Sequence, residues 1–220
     1  MNHTIRHHET GPLQVERDEP FPSSANLSDA LGQLGLKFQT LHSRIRPITG
    51  LPVRGPAFTV QCYPGANSTV EEALEAASPG DVLVINGEAF PEAVLMGGLM
   101  SSRAKQRGLA GAVIDGAVRD VAELRQLQWP VFAVGLTPRA GTIAKLGQLN
   151  VPISCGDVVI RSGDMIAGDE DGIVAIPALE VEKTLALARE IENKEAFIKE
   201  AIERGLSLQE AGGEYKSRRK

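Results

Sequence analysis

Two short aliphatic runs, DVLVIN at 81–86 and GAVID at 111–115, constrain the fold more than any other feature of this 220-residue chain. Both are flanked by Gly and Pro, and they bracket a stretch of helical character. Strands covered on both faces carry continuous apolar runs of this kind, and two of them joined by a helix make a βαβ unit. PVFAVG (130–135) reads as a third strand. Beyond it, VPISCGDVVIRSGDMIAGDEDGIVAIP (151–177) alternates β-branched pairs with Gly-Asp turns every 6–8 residues, which is the pattern of antiparallel hairpins. The expected class is α/β, with a mixed sheet that combines a βαβ unit and hairpins.

The remaining punctuation fills in the helices. LSDALGQLG, from Leu27, opens with Ser28 or Asn26 as candidate cap and closes at Gly35, as a short helix does. A strand over VRGPAFTVQC (53–62) follows. In NSTVEEALEA, Ser68 and Thr69 precede Glu71 and Glu72 by three, the capping-box spacing for a helix through about Ala77 that Pro79 and Gly80 stop. From Ala178 to Arg204 the chain contains no Pro or Gly and then meets Gly205, which predicts one long helix over 178–204. Its apolar side packs either on its own sheet or on a neighbouring subunit. Residues 1–26, with His3, His7 and His8, show no periodicity and read as an arm, and 211–220 as a tail. One domain is expected over 27–210.

Composition narrows the function. Hydrophobic residues at 42%, taken with 23 glycines, make about half of the chain apolar, enough for a real core. A net charge of −5 disfavours polyanion binding, and 4% aromatics leaves few stacking platforms, so nucleic acid is not the expected partner. No apolar run reaches the roughly 18 residues of a membrane span, and the first residues lack a hydrophobic signal core, so a cytoplasmic location and no membrane partner are expected. Cys62 and Cys155 form neither a disulfide framework nor a zinc pattern. A small-molecule enzyme fits best.

Chemistry concentrates in MGGLMSSRAKQRGLAGAVIDGAVRDVAEL (96–124). Inside a helix Gly97 and Gly98 would cost about 1 kcal/mol each relative to Ala. They are therefore placed at the entry of the crossover helix, where the free amides of Gly97, Gly98, Leu99 and Met100 can meet a carboxylate or phosphate. A tight turn that needs glycine is the simpler alternative. Arg119 and Asp120 follow the strand 111–115, where ligands of open α/β sheets collect. Arg suits the fork geometry of a carboxylate and Asp suits a hard cation; the alternative is a surface pair with Asp120 as helix N-cap. Asp169, Glu170 and Asp171 more simply make a hairpin turn with Gly172 than a calcium loop. Cys155 beside Ser154 lacks a nucleophile elbow, and His42 is the sole histidine outside the arm. Lys105 and Lys145, possible Schiff-base formers, have no distinguishing context.

Together with SDAL at 28–31, TPR at 137–139, NVPISCGDVVIRSGD at 150–164 and DEDGIVAIP at 169–177, the run from Gly97 to Leu124 resembles the RraA-like superfamily. That group includes the class II 4-hydroxy-4-methyl-2-oxoglutarate aldolases, which also decarboxylate oxaloacetate, and the ribonuclease E regulator RraA. The resemblance implies a swivelling β/β/α sandwich assembled as homotrimers or homohexamers. It also implies a divalent cation, Mg²⁺ or Mn²⁺, anchored by Asp120 mostly through water. Arg119 then binds the pyruvyl part of a 2-oxo acid, and the amides of Gly97, Gly98, Leu99 and Met100 complete the cradle. Arg119 and Asp120 are thus the catalytic pair of a lyase working through a metal-stabilised pyruvate enolate. The aldolases carry an acidic residue 21 positions before the arginine, where this chain has Gly98; oxaloacetate decarboxylation, which needs no alcohol deprotonation, is less affected by that departure. A late acidic residue from a neighbouring subunit is also implied, with Glu200 and Glu203 nearby. The alternative within the family is a non-catalytic, protein-binding regulator of a ribonuclease.

Overall fold

The computed structural model describes residues 21–144 and 146–218. The chain begins with α1 (Ser24–Gln33), β1 (Arg46–Pro47), β2 (Val53–Cys62), α2 (Ser68–Ala76) and β3 (Val82–Met96). It continues through α3 (Gly98–Gln106), β4 (Gly111–Val118), α4 (Val121–Leu127) and β5 (Val131–Leu136). Four short strands follow, β6 (Gly147–Leu149), β7 (Ile153–Cys155), β8 (Val158–Ile160) and β9 (Met165–Gly168), and then β10 (Ile173–Ile176). A 3-10 turn (Ala178–Glu180) leads into α5 (Val181–Glu203), and α6 (Leu208–Arg218) ends the described chain.

β2, β3, β4 and β5 are parallel neighbours, so three βαβ crossovers are present rather than the single one expected. The sheet runs β1-β5-β4-β3-β2-β9-β10, antiparallel at both ends. The edge of β2 away from β3 is shared: its first half, Val53–Pro56, pairs with β9, and Val60–Cys62 pairs with β6. Continuous apolar runs serve both faces by simple alternation. Ala112 and Ile114 of β4 join the cluster under α2, α3 and α4, while Val113 between them joins the one under the β7–β8 hairpin. A third cluster ties α1 and the start of α5 to β9 and β10. The result is the expected mixed α/β sandwich with a long C-terminal helix. Among the described residues no helix is long and apolar enough to cross a membrane.

Four local readings are corrected. α1 starts earlier than predicted, because the Ser23 hydroxyl accepts from the Asn26 amide at 3.1 Å and the Asp169 carboxylate takes the Ser24 amide at 2.8 Å. Ser24–Asn26 therefore belong to a helix, not to an arm; the histidines His3, His7 and His8 lie outside the described residues. Asn67, not Ser68 or Thr69, occupies the cap position of α2, without a side-chain capping bond. The Asn67 amide donates to Thr142 O at 3.3 Å, which fixes the entry one residue upstream and leaves both hydroxyl residues buried. β3 extends ten residues past the predicted strand, as described below. The segment from 211, predicted as a tail, is helical to Arg218. Ser207 and Glu210 form a capping box there, with the Ser207 amide on Glu210 at 2.9 Å and the Glu210 amide on Ser207 Oγ at 3.3 Å. Tyr215 then lies 5.5 Å from the Phe197 ring of α5.

Candidate functional site

Between the Asn86–Asp115 pair and the Met96–Val118 pair, β3 advances ten residues while β4 advances three. The surplus leaves the ladder as a bulge, with Glu88 and Ala89 both at positive φ (58° and 56°) and Pro91 where no ladder donor is needed. The strand that the sequence ended at residue 86 thus resumes, and it delivers Gly97 beside the carboxyl end of β4. Gly97 is the cap residue of α3 and Gly98 its first residue, as the glycine pair predicted. Neither glycine has a positive φ, so any residue could make this turn, and a side chain here would meet the side chains of neighbouring residues. A Cβ on Gly97 would lie 2.8 Å from Asp120 Oδ2 and 3.2 Å from Arg119 Cγ, and one on Gly98 would lie 2.1 Å from Glu123 Oε2.

Arg119 and Asp120 follow the last residue of β4. Asp120 sits at φ 60°, ψ 39°, a left-handed conformation that costs an ordinary L residue about 1–2 kcal/mol, less for Asp. It occupies the cap position of α4, yet its side chain makes no capping bond. The carboxylate instead reaches across to α3, where Oδ2 accepts from the Gly98 amide at 3.0 Å, at the positive end of that helix. The N-cap alternative thus describes the backbone of Asp120 and not its carboxylate. Arg119 Nε stands 3.5 Å from the same oxygen, an ion contact without hydrogen-bond geometry. The two side chains are each 42% exposed, and the Arg119 terminal nitrogens meet no described partner.

Arg119 and Asp120 form the wall between two cavities and are the only residues common to both linings. One cavity, of about 200 Å³, is bordered by Gly97, Gly98, Leu99 and Met100 and by Asn67, Glu71, Val94 and Met96. The other, of about 330 Å³, is bordered by Val121, Leu136, Thr137 and Pro138. All six predicted site residues therefore meet at one place. Sequence reasoning missed Glu71, which it assigned to helix capping, and Glu123, whose proximity depends on how α3 and α4 pack.

The residues fit a hard, hydrated cation. Asp120 keeps a carboxylate oxygen that makes no hydrogen bond to a described residue, and among the described residues no three His, Cys, Asp or Glu side chains converge as a cage. A single carboxylate with water completing the shell suits Mg²⁺ and its relatives, whereas tight zinc sites need several protein ligands.

The other candidates fall away. Cys155 is fully buried, and burial, reinforced by the Asp115 charge, pushes its thiol far above the ordinary range. Burial pushes the Cys62 thiol up to about 12. Lys105 Nζ donates to the Leu127 carbonyl on the surface, and Lys145 lies outside the described residues. Asp169 and Gly172 close the β9–β10 hairpin as predicted, with the Asp171 amide on Asp169 Oδ1 at 3.0 Å. Glu200 and Glu203 are exposed on α5.

Over residues 24–175 the sequence matches the family described as RraA-like, Aldolase/RraA. A Halalkalibacterium halodurans protein provisionally named 4-hydroxy-4-methyl-2-oxoglutarate aldolase is 41% identical over 182 residues, which span 82% of this chain and 83% of that protein. A solved structure from Pseudomonas syringae pv. tomato superposes with a TM-score of 0.78 at 29% identity, covering 86% of this chain and 92% of the other. Streptomyces coelicolor RraAS2, described as an unusual member of the RNase ES inhibitor RraA protein family, gives 0.75 at 30% identity over 81% and 93%. The family match spans most of the chain and the mixed sheet agrees with the solved structures in fold: the chain belongs to the RraA-like family.

Proposed function

We propose that the protein is a divalent-cation-dependent lyase that breaks the C3–C4 bond of pyruvate-derived 2-oxo acids, by retro-aldol cleavage of a 4-hydroxy-2-oxo acid or by decarboxylation of oxaloacetate. The observation that carries this reading is the Arg119 fork, whose terminal nitrogens meet no described partner, beside Asp120 at the glycine-lined start of α3. The name of the Halalkalibacterium halodurans relative supports it. Arg119 grips the substrate carboxylate in fork geometry, and the Leu99 and Met100 amides complete the cradle, since Asp120 takes that of Gly98. Asp120 holds the cation, Mg²⁺ or Mn²⁺. When bound, the cation supplies Lewis-acid withdrawal of electrons from the 2-oxo group. Arg119 and the amides at the start of α3 offset the negative charge that gathers on the pyruvyl unit as the bond breaks. Both reactions pass through one pyruvate enolate and end with its protonation; retro-aldol cleavage also needs a base for the alcohol proton.

The test is pyruvate release from oxaloacetate by chelator-stripped protein resupplied with Mg²⁺ or Mn²⁺, with the metal-only background subtracted and Asp120→Ala as control. Turnover restored by metal and lost in the variant is expected. Activity that survives both chelation and Asp120→Ala would sink the reading. Assembly as trimers or hexamers belongs to the same proposal: Leu99 and Leu136, 85% and 53% exposed at the two cavities, are apolar surface that a neighbouring subunit can cover. Sedimentation equilibrium of the full chain gives the subunit count. The likeness to RraAS2 favours a second reading, a protein-binding regulator of a ribonuclease. Capture of a ribonuclease by a chain inert toward 2-oxo acids would establish it.

A further inference from the structure

We propose that Glu123 is the second carboxylate of this site, the proton acceptor for a 4-hydroxy substrate, and that the bare Cα of Gly98 makes room for it. The inference rests on the lyase reading above. Glu123 lies in the first turn of α4, three residues after Asp120, a spacing that puts both side chains on one side of the helix start. From there both reach α3 at the same residue. Asp120 Oδ2 takes the Gly98 amide at 3.0 Å, and the Glu123 carboxylate occupies the direction in which a side chain at 98 would leave the backbone. A Cβ built on Gly98 would come within 2.1 Å of Glu123 Oε2, 2.3 Å of its Cδ and 2.7 Å of its Oε1. The carboxylate is exposed, and it makes no hydrogen bond or ion pair with any described residue. It thus lies beside Gly98, a residue that borders the smaller cavity, with its oxygens free of described partners.

The division of labour follows from the remaining groups. Arg119 has no acceptor, and Asp120 is engaged with the Gly98 amide and is the group that suits a cation. Of the carboxylates left to move a proton, Glu71 borders the cavity on the α2 side and Glu123 is the one whose oxygens stand against Gly98, beside Asp120. In retro-aldol cleavage it takes the proton of the 4-hydroxyl. The C3–C4 bond breaks, and C4 leaves as a carbonyl. The bonding pair passes to C3 as the pyruvate enolate. The proton returns from Glu123 to C3, so atoms and charge balance. Decarboxylation of oxaloacetate skips the first transfer: the C3–C4 bond breaks with loss of CO₂, and the enolate takes its C3 proton from water, not from Glu123.

This separation gives the test. Glu123→Gln keeps the shape and is expected to slow retro-aldol cleavage about 100-fold, while oxaloacetate decarboxylation stays within a few fold. Geometry adds a rescue: an Asp at 98 carries its carboxylate one bond beyond the Cβ that falls on the Glu123 carboxylate. Gly98→Asp alone should therefore displace the Glu123 carboxylate and slow cleavage, whereas Gly98→Asp with Glu123→Ala should recover at least a tenth of wild-type cleavage. Mn²⁺ affinity, read by calorimetry without substrate, should weaken about 10-fold in Glu123→Ala and return in the double variant. Unchanged cleavage and unchanged Mn²⁺ affinity in folded Glu123→Gln and Glu123→Ala would overturn the role of Glu123 and leave the lyase reading standing. Equal loss of both reactions in Glu123→Gln would also overturn it, by assigning Glu123 a structural part. If the wild type itself cleaves nothing, the lyase reading and the proton role fail together, and the Mn²⁺ measurements decide whether Glu123 still belongs to a cation site.

Discussion

Two arginine–aspartate constellations depend on β4, and they differ in nearly every physical respect. Asp115, in the strand, is 3% exposed and accepts from Arg44 Nε at 3.0 Å, Arg44 Nη2 at 2.9 Å and the Gly156 amide at 2.7 Å. Arg44 spends its other bonds on Asp157, at 3.0 and 2.9 Å. Hydrogen bonds to Asp115 and then to Asp157 hold the guanidinium charged more firmly than usual. Beyond the strand end, the Arg119 guanidinium has its one ion contact among the described residues with its own neighbour, and both side chains stand half open to solvent. The same pair of residue types is a saturated clasp in one place and a set of unfilled valences in the other. The contrast lies in the partners, so unsatisfied donors mark a site more sharply than the presence of charge does.

The comparison breaks most visibly if the two aspartates are exchanged in effect. Asp120→Ala is expected to cost about 100-fold or more in metal-restored turnover while the melting temperature stays within about 3 °C, read by steady-state kinetics and calorimetry on one sample. Asp115→Ala should do the reverse. Breaking a buried pair by removing one partner costs about 3–5 kcal/mol, a fall of about 10 °C for a chain of this size. A chain that tolerates Asp115→Ala would show the clasp to be ornamental. Gly97→Ala sharpens the same contrast, because the new Cβ meets Asp120 Oδ2 at 2.8 Å. We expect about a tenfold loss of kcat/KM with little change in melting temperature, checked by kinetics against Gly213→Ala as a distant glycine control, where a Cβ meets open space.

The smallest effect concerns pH. The Arg44 guanidinium beside Asp157 holds that carboxyl below its usual range. A depressed carboxyl stabilises the fold above its unfolded pKa, and the contribution is lost as pH falls through the folded value. Between pH 5 and pH 3, approximately, the wild type should therefore lose slightly more stability than Asp157→Asn, read by denaturant titration at each pH. Parallel curves would remove Asp157 from the clasp.

What the sequence disclosed and what it hid follow one physical division. The strand over 53–62 was legible to the residue, and so was the helix entry at Gly97 and Gly98, because periodicity and glycine chemistry are local. The capping box at Ser207 and Glu210 was equally local, and it was overlooked beneath two glycines that suggested a tail. The second half of β3 was illegible, since a bulge with two positive-φ residues and a proline imitates a loop. The Arg44 clasp joins residues 71 and 113 positions apart, and Glu123 depends on the packing of two short helices; no spacing rule reaches either. In the site, residue types and their strand-end placement were readable, but the identity of the neighbours was not.

The divided edge of β2 bears on how the chain reaches this state. One edge meets β3, the next strand made, while the other waits for β6 and β9, which the ribosome supplies last among its partners. Until then a ten-residue strand rich in apolar groups offers an open row of donors and acceptors. Contacts this distant in sequence form slowly, and intermediates with open strand edges associate. Refolding yield should accordingly fall with protein concentration, and chains truncated before Gly147 should be the first to aggregate.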